Sequence, residues 1–208
     1  MSAVSERITQ DIRKINELSR TIGNRITIKS TSGNPINKII VEINYPTAPS
    51  NKYPDQVQDK TLVKIELVSR YPFVEPTATI TSPIFHPNVY TSGKICLGTK
   101  WLPTQGLDLL VKRIIQIITF DETILNEDSP ANGTALSWYR SALRKYPEAF
   151  PTDKLSIKET PKGKVSWKNI DERIVINCPE CRGSLRVKKG SKGNISCPKC
   201  KNKFYVET

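Results

Sequence analysis

Histidine is almost missing from this chain: His86 is the single one in 208 residues. Any chemistry that needs an imidazole to move a proton must therefore use that residue. Long apolar runs are missing too, and none approaches the roughly 18 residues that a membrane span requires. The opening stretch MSAVSERITQDIRK lacks the apolar segment of a signal peptide. No internal repeat or low-complexity tract is visible. The expectation is a soluble, cytoplasmic protein with no membrane partner. An apolar fraction of 37% is enough for a folded core, and the length leaves room for one full domain plus a small module.

Cysteine is present in small number and uneven placement. Cys178, Cys181, Cys197 and Cys200 cluster near the end, and Cys96 stands alone. Two CPxC knuckles in a chain without an export signal favour metal over disulfides. Each knuckle brings two sulfurs to one ion, and an intervening hairpin, LRV then GNIS around KKGSKG, would return the second pair to the first. The expected product is a closed, tetrahedral four-cysteine zinc ribbon with a structural and no catalytic metal, since no coordination position is left for water. Redox-active CxxC pairs would need a thioredoxin-like βαβ setting, which is absent.

Charge is uneven as well. The net charge is +12, and residues 156–208 hold 13 Lys/Arg against 5 Asp/Glu. Such a tail suits nucleic acid or an acidic protein face, and a small domain kept soluble by lysines is an equally good reading. Nucleic acid is not the favoured partner, although the basic tail leaves it open.

Apolar residues at three- and four-residue spacing, Val4, Ile8, Ile12 and Ile15, predict an N-terminal helix ending before Gly23. Strand patterns follow at 25–30, 36–43, 61–68 and 77–81, close enough for an antiparallel meander, with a proline-rich loop over 44–60. Outside the 77–81 strand, residues 71–103 read as a long irregular segment, the kind of loop that carries function. Helices are expected over 107–120 and in TALSWYRSALRKYPEAF. This order predicts an α+β domain with helices on one face of an antiparallel sheet. The boundaries are a domain over 1–150, a linker over 151–172 and the ribbon over 173–208.

Cys96 lies in FHPNVYTSGKICLGTKW. It is open to three readings: a small buried apolar residue, a papain-like nucleophile with His86 as base, or a thioester carrier. YPFVEP at 71–76, HPN at 86–88, GKICL at 93–97, Trp101, Pro103 and NEDSPAN before a helix together resemble the ubiquitin-conjugating enzymes over roughly residues 1–150. Two departures stand out: Cys96 and Trp101 are closer together than in most members, and the loop 44–60 replaces a glycine-containing turn.

The resemblance implies that Cys96 accepts ubiquitin or a ubiquitin-like protein from an activating enzyme as a thioester. It then passes the acyl group to an amine, usually lysine, with or without a RING-type ligase. Asn88 matches the asparagine assigned to oxyanion stabilisation or to ordering the neighbouring loop, and His86 matches a structural residue. Ser129 or Asp128 falls at the mouth of the site, where it would orient the amine; either residue also suits an N-cap of the next helix. Phe73, Trp101 and Pro103 match the ligase-facing loops, with a core position as the other reading of Trp101. Arg7, Arg13 and Lys14 on the first helix match the face offered to the activating enzyme, where solvated charges are the simpler explanation. The alternative function is an inactive conjugating-enzyme relative whose ribbon is a binding and recruitment module. A cysteine hydrolase is disfavoured by the lone histidine.

Overall fold

The computed structural model describes residues 2–98, 100–156 and 173–207, and the chain divides into two compact units, Met1–Thr160 and Pro161–Thr208. Residues 157–172 of the expected linker lie outside the described residues.

The first unit begins with helix α1 (Ala3–Thr21), capped by the Ser2 hydroxyl, which accepts from the Ser5 amide at 3.2 Å. Its buried stripe is Ile8, Asp11, Ile15 and Ser19, one helical face. Four antiparallel strands follow as a meander: β1 (Ile26–Ser32), β2 (Lys38–Ile43), β3 (Thr61–Glu66) and β4 (Thr77–Ile80). Alternation decides which face is buried. Ile39, Val41, Ile43, Val63, Ile65, Ala78 and Ile80 turn inward, and the register pairs Ile39 with Ile65, Val41 with Val63, and Val63 with Ile80.

These side chains share one core with helix α2 (Leu107–Ile118), whose Leu107, Val111, Ile114, Ile115, Ile117 and Ile118 are fully buried. Each such side chain contributes about 1.5–3 kcal/mol. Gly106 supplies no side chain to cap α2. Asp11 of α1 does the work, accepting from the Leu107 amide at 3.4 Å, which satisfies an orphan donor and sets a carboxylate at the positive end of the helix.

A second, aromatic-rich cluster joins Ala48, Tyr53, Phe120, Leu136, Tyr139, Ala142 and Phe150. The loop 44–60 is fastened to it: the Thr47 hydroxyl donates to the Ile118 carbonyl and the Tyr53 hydroxyl to the Ala149 carbonyl, both at 2.7 Å. Helix α3 (Gly133–Lys145) is shorter than the segment through Phe150 that its pattern suggests. Pro147 lacks an amide and disfavours helical backbone at Tyr146, so the chain continues as a 3₁₀ turn over Pro147–Ala149. Packing of this unit also runs past the expected boundary at 150. The Thr152 amide donates to the Thr119 carbonyl at 2.9 Å, Asp153 pairs with Arg25 at 2.7 Å, and Leu155 packs on the core.

In the second unit, β5 (Arg173–Asn177) pairs with β6 (Ser184–Lys188), and β7 (Lys192–Ser196) pairs with β8 (Lys203–Glu207). The expected hairpin of LRV with GNIS is corrected by this topology: each knuckle sits at the turn of its own hairpin. The cause is local. In both knuckles the residue after the second cysteine, Arg182 or Lys201, is left-handed at φ 53 or 59 and donates its amide to the carbonyl of the first cysteine at 2.9 or 2.8 Å. That closes the turn and starts the return strand. The two halves, RIVINCPECRGSLRVK and KGNISCPKCKNKFYVE, are thus an internal repeat that sequence reading missed, because strand residues of different identity conceal it.

Candidate active site and metal centre

Cys96 is positioned by a chain of backbone bonds that starts at the edge of the sheet. Ile80 of β4 donates to the Gly93 carbonyl at 2.9 Å, and Ile95 donates to Ala78 at 3.0 Å. Residues 88–96 fold back on themselves: the Tyr90 amide donates to Lys94 at 2.9 Å, and the Cys96 amide donates to Asn88 at 2.8 Å. Gly93 makes the turn at φ 81, and a Cβ there would stand 2.2 Å from the Ile80 carbonyl oxygen, so only glycine fits. Beyond Cys96, the Arg113 guanidinium on α2 donates to the Leu97 carbonyl at 2.5 Å. The thiol emerges partly exposed. A cavity of about 240 Å³ is lined by Leu97, the residue after Cys96, with Arg113, Glu75 and Trp101 among others; Cys96 itself is not part of its lining. A fully buried, inert cysteine is not what the structure contains.

Asn88 is 1% exposed, and its side chain is spent on the segment after α2. Nδ2 donates to the Ile124 carbonyl at 3.0 Å, and Oδ1 accepts from the Asn126 amide at 3.2 Å. Asn126 in turn donates to the Ser129 carbonyl at 2.7 Å and accepts from the Ser129 amide at 3.1 Å, forming the turn that carries exposed Asp128 and Ser129. Neither residue is the N-cap of α3. That place belongs to Asn132, which accepts from the Ala135 amide at 3.0 Å while its own amide donates to the Pro87 carbonyl at 3.0 Å.

His86 is fully buried against Phe120, ring centroids 4.3 Å apart. Its Nδ1 accepts from the Asn88 amide at 2.9 Å, so the neutral ring carries its proton on Nε2. Burial drives its pKa down to about 3, against an opposing interaction with the Ile117 backbone. The ring's one lone pair is taken by the Asn88 amide and its basicity is low, so it is not available as the base that a Cys/His hydrolase needs.

The residues expected to face partners divide into two groups. Phe73 is 74% exposed. Trp101, half-buried, donates from Nε1 to the Pro72 carbonyl at 2.7 Å and so ties the two loops together. Pro103 is half-buried, and Leu102, which sequence reading missed, is 50% exposed. Arg13 is exposed and pairs with Glu17 at 3.6 Å, and Lys14 is half-buried.

Arg7 is half-buried and its guanidinium is engaged within the fold. Its Nε donates to Asp11 at 2.8 Å, and its remaining donors reach the carbonyls of Pro103, at 3.2 Å, and Gln105. Asp11 is completely buried and also accepts from the Tyr71 hydroxyl. A desolvated carboxylate requires such partners. The Tyr71 pKa is accordingly raised, first by burial and then by Asp11. A charged residue on the apolar stripe of α1 was the available signal for this hub.

In the second unit the four Sγ atoms of Cys178, Cys181, Cys197 and Cys200 lie within 4.8 Å of one another. Cys178 and Cys200 are 3.6 Å apart, and Cys181 and Cys197 are 3.7 Å apart. These separations are too long for disulfides, about 2.05 Å, and they match the edge of a tetrahedron with metal–sulfur bonds of about 2.3 Å. The Cys200 amide lowers the Cys197 thiol, against burial and with help from the Lys199 amide. The donor set fits a metal ion.

Among the described residues no helix is long and apolar enough to cross a membrane. The family model described as ubiquitin-conjugating enzyme matches residues 7–152. The chain is 30% identical over 132 residues to a ubiquitin-conjugating enzyme E2 of African swine fever virus (strain Badajoz 1971 Vero-adapted), covering 57% of this chain and 56% of that one. To the same enzyme from isolate Pig/Kenya/KEN-50/1950 it is 32% identical over 121 residues, covering 52% and 50%. To ubiquitin-conjugating enzyme E2 1 of Caenorhabditis elegans it is 36% identical over 87 residues, covering 40% and 43%. The chain thus spans about half the length of the curated relatives it matches.

Proposed function

We propose, from the premise that the chain belongs to the ubiquitin-conjugating enzyme family, that Cys96 is the acyl carrier of a ubiquitin or ubiquitin-like conjugation pathway. The observation that carries this reading is a half-buried cysteine on a loop stitched to β4, without an imidazole base. The sulfur attacks the modifier's C-terminal thioester on an activating enzyme, whose own thiol leaves. An amine, probed below as lysine, next attacks the carbonyl carbon. The tetrahedral oxyanion collapses, the carbon–sulfur bond breaks, an amide forms, and the amine's proton passes to solvent. A thioester is activated toward nitrogen, so no residue has to activate water.

Asn88 supports this reaction by holding the 124–129 turn, the role its two side-chain bonds favour. We assign Asp128 and Ser129 on that turn to orienting the incoming amine. Arg13 and Lys14 serve the encounter with the activating enzyme. Phe73, Leu102 and Pro103 form the surface for a RING-type ligase, with Trp101 as its internal brace. The four-cysteine centre holds zinc as a structural ion, and the reduced thiols suit the cytoplasm.

Incubation with a cognate activating enzyme, its modifier and ATP tests the proposal. An adduct sensitive to reducing agent is expected, and Cys96→Ala loses it entirely. An adduct that survives Cys96→Ala, or none with the correct partners, rejects the carrier role and leaves the recruitment module.

A further inference from the structure

The second unit carries features that acyl transfer does not use. Residues 173–207 hold nine Lys/Arg against two acidic residues, and four thiolates with a divalent ion remove only about two units of that excess. The strand alternation sorts the side chains. Ile174, Ile176, Leu185 and Val187 of the first hairpin, and Ile195, Phe204 and Val206 of the second, are the shielded set. The outward positions pair Val175 with Arg186, Asn194 with Tyr205, and Ser196 with Lys203.

Tyr205 is 62% exposed in mid-strand. Its ring stands opposite the Asn194 amide, with Lys203 two residues before it on the same side of β8. Arg186 and Lys203 have no acidic partner among the described residues, whereas Lys192 is paired with Glu207. An exposed ring among cations and amides, spaced about 6.6 Å apart along a strand, lacks the apolar core of a protein-docking patch. Val175, at 61%, and Tyr205 are the only large apolar side chains exposed among the described residues of this unit.

We infer that the outward face of the β7–β8 hairpin binds single-stranded nucleic acid, with Tyr205 stacking on a base and Lys203 meeting a phosphate. A strand of this kind supplies both complements at once: negative charge along its length, and a π-face on every base. The site is sequence-tolerant, because every base presents a π-face to the ring. It does not rest on the acyl-carrier reading.

Fluorescence anisotropy of the full-length chain with labelled 20-nucleotide oligo-dT and oligo-U, from 50 to 300 mM salt, tests this. Binding is expected to weaken steeply with salt, and Tyr205→Ala to weaken it about 5- to 100-fold. Lys203→Gln is expected to flatten the salt slope. Metal content of each variant reports that the unit is intact; if Tyr205→Ala loses metal, Tyr205→Leu, which keeps bulk without a π-face, replaces it. Three outcomes each overturn the inference: no binding, equal binding by an intact Tyr205 variant, or poly-glutamate displacing the strand equally in chains with and without Tyr205. Cys96→Ala binds as the parent chain does, so failure here and failure of acyl transfer are separate results.

Discussion

Single side chains in this protein do their work through their hydrogen bonds. Asn88 became a candidate through the resemblance of its HPN motif to the ubiquitin-conjugating enzymes, but its partners, Ile124 and Asn126, lie more than thirty residues away and no local pattern announces them. Asn88→Ala leaves a part-buried carbonyl and a part-buried amide without their partner, which costs up to about 1–3 kcal/mol. The Cys96 adduct should still form while single-turnover discharge to lysine slows; unchanged discharge together with an unchanged urea midpoint would remove Asn88 from the site.

His86 makes a second prediction at this scale. The imidazole of the unfolded chain takes a proton near 6.5, and the folded one not until about 3. The unfolded state therefore binds more protons between these values. Stability is fully present above about 6.5 and falls as pH drops toward about 3, by up to roughly 1.4 kcal/mol per unit. Urea midpoints from pH 7 to pH 5 should fall more steeply for the parent than for His86→Gln. Parallel slopes would mean that the ring is not buried as a neutral group.

At the scale of elements, strands and helices follow the apolar periodicity, and the sequence reading departs from the structure mainly where one element is completed by another. α2 has no capping side chain of its own and borrows Asp11; α3 is cut short by Pro147; the two ribbon hairpins are set by left-handed residues, Arg182 and Lys201, that carry no glycine signal. The Cys96 loop belongs to the same class, since it is an extra edge on β4 that only the pairing with Ala78 and Ile80 reveals. Gly93→Ala tests that edge. Its Cβ meets the Ile80 carbonyl at 2.2 Å in a left-handed backbone, so the hairpin must shift. The cost is about 1–3 kcal/mol, and a displacement of the thiol near 1 Å slows loading of Cys96 about 100-fold. Gly133→Ala, where a Cβ meets nothing within 4 Å, is the matched control and should be neutral or slightly stabilising. Equal loading rates for the two variants would show that the loop does not depend on its junction with β4.

At the scale of the whole molecule, the two units stand on different physics. Both hydrophobic clusters draw their residues from the first unit alone, around isoleucines of the sheet and α2 and the rings near Phe120. Among the described residues of the ribbon, only Cys178, Cys197 and Val206 are buried. A fold of this size, below about 40 residues, buries too little apolar surface to offset its chain entropy. On the proposed zinc centre the four sulfurs supply the difference, so that metal binding energy would be folding energy there. Chelation should therefore abolish amide-exchange protection in β5–β8 while β2, β3 and α2 keep theirs, and Cys178→Ser with Cys181→Ser should reproduce that pattern without chelator. Added zinc should restore protection to the parent chain and not to the double variant. Protection that survives verified metal removal would mean the ribbon is held by packing instead, and loss in both units together would mean that they fold as one.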